Sequence, residues 1–88
     1  MEVQTMRKVH VDFSKAYRVD PAVYSTSSKV RKNVAKKGTQ TELARLVNDP
    51  SPKVRKAVAR KGYGLEVLTH DPNLSVRTVA LSTSAAMD

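Results

Sequence analysis

The chain contains no cysteine and no tryptophan. Without thiols there is no disulfide framework, no thiolate zinc or Cys-held iron–sulfur site, and no cysteine nucleophile, and a reducing, cytoplasmic setting is the expectation. Long apolar runs are missing as well. The start, MEVQTMRKVHVDF, has no continuous apolar core of the signal-peptide kind, and no stretch approaches the ~18 apolar residues of a membrane span, so no membrane association is expected. Length is scarce too: 88 residues hold one small domain that buries about 60 to 65% of the surface its unfolded chain exposes, which leaves no room for a spacious active-site cavity. Acidic residues number 8 against 16 Lys and Arg, a formal charge of +8. No phosphate-binding loop, dinucleotide fingerprint or kinase-like signature occurs.

What the chain does have is self-similarity. VRKNVAKKG at 30–38 returns as VRKAVARKG at 54–62, an offset of 24 residues. A further unit follows at an offset of 22, where LARLVNDPSPKVR (43–55) aligns without gaps on LEVLTHDPNLSVR (65–77). Two residues are lost between Gly62 and Leu65 relative to Gly38 and Leu43, so the first connector is expected to be the longer helix and the second a 3₁₀ turn or two.

Each unit reads as two short helices. Ser27, Ser51 and Asn73 share one repeat position and are expected to cap a helix, with Pro52 just inside its cap. Gly38 and Gly62 are expected to end helices at positive φ. Thr39 and Glu42 form a capping-box pattern ahead of Leu43, Leu46 and Val47. The Asp-Pro corners close the connectors, because the residue before proline is pushed out of the α region. The expected core is Val30, Val34, Leu43, Leu46, Val54, Val58, Leu65, Leu68, Val76 and Ala80, all-α over residues 25 to 84, with Ser82 to Asp88 fraying.

This pattern, VRxxVAxxG followed by a Thr-led short helix, Leu-x-x-Leu and Asp-Pro before VR returns, resembles the variant leucine-rich repeat family over residues 25 to 84. The resemblance implies an all-α, right-handed solenoid of alternating α- and 3₁₀-helices, related in spirit to HEAT repeats, with about two and a half units here. The family's founding member is associated with an iron–sulfur cluster held by a cysteine-rich segment outside the repeats. With no cysteine, that cofactor does not carry over, and none is expected. The domain plan is thus a repeat domain at 25–88 preceded by a capping segment at 1–24, with any strand confined to 3–13.

On a helix at about 100° per residue, Lys53, Lys56 and Arg60 fall on the side opposite Val54, Ala57 and Val58, and Lys29, Lys32 and Lys36 repeat this one unit earlier. The two triplets are expected to stack into one basic ridge, flanked by Lys37 and Lys61. In the third unit the same positions are Ser75, Thr78 and Ser82, so the ridge stops there. Residues 29 to 61 carry eleven cationic side chains against Glu42 and Asp49, a net of +9, and the rest of the chain sums to −1. Solvated helix faces are ordinarily lysine-rich; concentration onto two adjacent units is what points to an anionic partner.

Arg31, Arg55 and Arg77 border the apolar arc instead. Asp49 precedes Arg55 by six residues and Asp71 precedes Arg77 by six. That spacing resembles the Asp–Arg ladder of HEAT repeats, and Asp49, Arg55, Asp71 and Arg77 are taken as structural. The first unit has Ser25 in place of the Asp, which leaves Arg31 the most available for another task. His10 and His70 are the only imidazoles, with no nucleophile or ligand set placed around them, so no metal site and no catalysis are expected. Tyr63 could stack on a base or fill a seam between units. The expected function is non-catalytic: docking of the ridge on a nucleic-acid phosphate backbone, DNA or RNA, largely independent of sequence, or else scaffolding of an acidic protein. Homo-oligomerisation is left open.

Overall fold

The computed structural model describes residues 19–87. Among them are a 3₁₀ turn at Pro21–Tyr24 and five α-helices: α1 (Ser28–Lys37), α2 (Gln40–Leu46), α3 (Pro52–Arg60), α4 (Leu65–Leu68) and α5 (Leu74–Met87), with no strand among the described residues. The expected strand at 3–13, His10 and most of the capping segment lie outside them. The two-residue deletion shows in the connectors: α2 has seven residues, whereas α4 is a single α turn of four instead of the expected 3₁₀ turn.

Helix ends follow local chemistry, with two corrections. Ser27 Oγ accepts from the Val30 N–H at 3.4 Å and Asn73 Oδ1 from the Val76 N–H at 3.2 Å, but Ser51 makes no side-chain cap. There the Val54 N–H, the equivalent of the Val30 and Val76 donors, turns to the Ser51 carbonyl at 3.1 Å instead. Gly62 sits at φ 79 as expected, whereas Gly38 has φ −71 and needs no glycine for its dihedral. Its glycine is required by space. A Cβ there would stand 2.7 Å from the Val34 carbonyl oxygen and 3.1 Å from Glu42 Oε1. Gly64 is the other positive-φ position, at 65, where a Cβ would meet Val47 Cγ2 at 2.6 Å.

α3 lies between α1 and α5, packing on both, while α1 and α5 have no Cα pair within 8 Å. The connectors α2 and α4 each touch the helices before and after them. The core consists of Val23, Val34, Ala35, Leu43, Leu46, Val54, Ala57, Val58, Ala59, Leu68, Val76 and Ala80. Val30 does not belong to it, at 39% exposed, because it faces an outer cleft beside Ala22 and Asn33 that no helix fills among the described residues. Leu65 is only half-buried. Ala35, Ala57 and Ala59 are buried where small side chains let α1, α3 and α5 approach. The C-terminal segment does not fray at Ser82: the repeat positions of Gly62 and Gly64 are held by Ser84 and Ala86, and the helix runs on to Met87.

Candidate nucleic-acid interface

Two arginine–aspartate rungs hold the helices in register. Arg31 Nε donates to Asp49 Oδ2 at 2.7 Å and Nη2 to Oδ1 at 3.1 Å, while Nη1 donates to the Ser25 carbonyl at 2.6 Å. Arg55 repeats the arrangement with Asp71 at 2.7 and 3.1 Å and with the Asp49 carbonyl at 2.6 Å. Each arginine thus grips the carboxylate of the turn ahead and the carbonyl of the turn behind. The six-residue spacing serves the carbonyl; the carboxylate contacts span 18 and 16 residues, and the difference of two matches the residues lost between Gly62 and Leu65.

Arg31 is therefore not free, contrary to expectation, since its carboxylate partner is Asp49 and the missing acid at Ser25 is irrelevant to it. Donating its hydrogen bonds to the Asp49 carboxylate raises the Arg31 pKa above its ordinary value, against the opposing effect of burial. Asp71 is buried, which alone would push its carboxyl up; the Arg55 guanidinium, the Asn73 N–H and the charges of Arg55 and Arg77 outweigh this and hold it below the ordinary aspartate value. Arg77 has only the carbonyl half of the pattern, donating from Nη1 to Asp71 O at 2.8 Å and Pro72 O at 3.4 Å.

With Arg31 and Arg55 absorbed, the basic side chains of α1 and α3 remain. Among the described residues the ion pairs are Arg31–Asp49 and Arg55–Asp71, so Lys29, Lys32, Lys36, Lys37, Lys53, Lys56, Arg60 and Lys61 have no carboxylate within salt-bridge distance there. Ser28, Lys29 and Lys32 of α1 and Lys53 of α3 line one cleft of about 270 Å³ with no acid on its walls among the described residues. Lys36, Lys56 and Arg60 occupy the remaining ridge positions along the two helices; Lys32 and Lys56 are half-buried and the other four exposed. Lys37 also lines the outer cleft with Asp20 and Glu42, and Lys61 is exposed where its N–H closes the last turn of α3.

That outer corner has its own wiring. The Glu42 carboxylate completes the capping box by accepting from the Thr39 N–H at 3.0 Å and also accepts from the Asp20 N–H at 2.6 Å, which ties the 3₁₀ turn to α2. Arg45 lies over the Tyr24 ring, 5.3 Å from its centroid, a contact with no signature in the repeat because Tyr24 precedes it. Tyr63 is half-buried against the core and His70 is exposed beside the α4 turn. Among the described residues no group of three His, Cys, Asp or Glu could hold a metal ion, and no helix is long and apolar enough to cross a membrane. No protein-family model matches the chain, and comparison with curated proteins and with solved structures yields no match either.

Proposed function

We propose that the protein is a non-catalytic binding module, a short right-handed helical-repeat solenoid of the variant leucine-rich, HEAT-like kind, whose basic face docks on a nucleic-acid phosphate backbone. The observation that carries the reading is the cleft where Lys29, Lys32 and Lys53 meet across two packed helices, with no acid on its walls among the described residues. Lysine ammoniums on flexible stems suit phosphates as point charges and read no base edges, so binding is governed by charge and shape. The site includes Lys36, Lys56 and Arg60, with Lys37 and Lys61 at its margins.

Fluorescence anisotropy with short duplex DNA and duplex RNA at low and moderate salt tests this. If about five phosphates are contacted, the log–log salt slope falls near −4 to −5, with little difference between sequences. Absence of binding at about 50 mM salt removes the nucleic-acid reading and hands the ridge to an acidic protein partner.

A further inference from the structure

The repeat assigns one more face of the molecule. Ser28, Arg31 and Ala35 of α1 correspond to Pro52, Arg55 and Ala59 of α3 and to Leu74, Arg77 and Leu81 of α5. In the first two helices this stripe carries the carboxylate rung and a fully buried alanine. In α5 the same stripe is open: Leu74 is 67% and Leu81 55% exposed, and among the described residues Arg77 has no carboxylate partner. Spaced at i, i+3 and i+7, the three share one side of the helix.

From this we infer that the Leu74–Arg77–Leu81 face of α5 docks a separate polypeptide bearing an aspartate in a turn, its carboxylate taken by Arg77 and an adjoining apolar side chain by the two leucines. The occupant's chemistry comes from the two rungs within this chain, where an Asp-Pro turn, at Asp49 or Asp71, fills the equivalent place. Charge complementarity supplies the specificity, because a guanidinium fork matches a carboxylate bidentately. Among the described residues the chain does not fold back onto this face as it does after α3: Ser84 and Ala86 replace the two positive-φ glycines, and α5 runs on to Met87. A second copy of the chain is a poor occupant. Its first unit offers Ser25 where the aspartate belongs, and each copy carries +8.

The test is a titration of the ¹⁵N-labelled 88-residue chain with a synthetic peptide spanning its own residues 64–83, which carries Asp71 with the residues that flank it in the chain, followed by NMR. Amide shifts confined to residues 74–85, together with movement of the Arg77 Nε–H signal, are expected. Asp71→Ala in the peptide or Arg77→Ala in the chain should weaken binding by at least about tenfold. Leu81→Ala, at an exposed position, should weaken it while the melting temperature stays put. No shifts at millimolar peptide, or equal affinity for the Asp71→Ala peptide, overturns the inference. Concentration-dependent self-association of the chain alone, lost in Arg77→Ala, would replace the separate partner by a second copy. Nucleic-acid binding should be unchanged in Leu81→Ala, so failure of this inference and failure of the phosphate-docking proposal read out separately.

Discussion

Arg55 spans two turns at once, gripping the Asp71 carboxylate at 2.7 and 3.1 Å while Nη1 takes the Asp49 carbonyl at 2.6 Å. Truncating it strands a buried carboxylate and a carbonyl together. Arg55→Ala is expected to destabilise the fold by about 1 to 3 kcal/mol, less than a fully buried pair because the guanidinium retains some solvent. Arg77→Ala, which gives up only carbonyl contacts, should shift the denaturant midpoint less. Equal midpoints for both variants would remove the rung from the stability of the fold.

Stability should also fall in acid through Asp71. Its folded-state pKa lies below the ordinary value, so near and below pH 4 the unfolded chain binds more protons than the folded one. The paired carboxylate's contribution is complete above the unfolded pKa of about 3.9 and drains away as pH drops through the folded value. Melting temperatures between about pH 6 and pH 2 should decline at the acid end, and Asp71→Asn should flatten that decline while lowering the plateau.

On the basic face the informative pair is Lys29 and Lys53, both exposed and both on the cleft. Replacing both by Ala should reduce the salt slope of nucleic-acid binding by about 2 and change stability by no more than about 0.5 kcal/mol per site. Lys32 and Lys56 are half-buried, and their stems contribute packing as well as charge. Ser75, Thr78 and Ser82 should tolerate substitution without effect on binding.

Leu46 fills the junction between connector and stacked helices and is 2% exposed. Leu46→Ala should cost about 2 to 4 kcal/mol, read as a lowered denaturant midpoint, a large share of the stability of so small a domain.

The helices, the connector lengths and the Thr39–Glu42 capping box were legible from spacing and local chemistry, because each depends on residues within one or two turns. What escaped depends on neighbours. VRKNVAKKG and VRKAVARKG end in the same glycine, yet Gly38 and Gly62 differ in φ. After Gly38 a capping box opens the next helix at once, whereas Tyr63 and Gly64 intervene after Gly62. Val30 lies on the same apolar arc as Val54, but a helical wheel cannot say that α1 lacks a helix on its outer side among the described residues. The six-residue spacing places Arg55 and Arg77 against Asp49, Asp71 or the carbonyls at the seam without saying which group each takes. An aspartate offers both a carbonyl and a carboxylate, and only the fold decides that the near arginine takes the first and the far one the second.

Asp49 is held by two arginines, and its Oδ1 also accepts the Ser51 N–H that opens α3. The start of α3 is thereby fixed against α1, and with it the separation of Lys53 from Lys29 and Lys32. The cations of neighbouring helices thus stand at a preset pitch ahead of the polyanion docking proposed for them. Most of the ordering that such an array would otherwise demand at the moment of association is already built in, leaving only the lysine stems to settle.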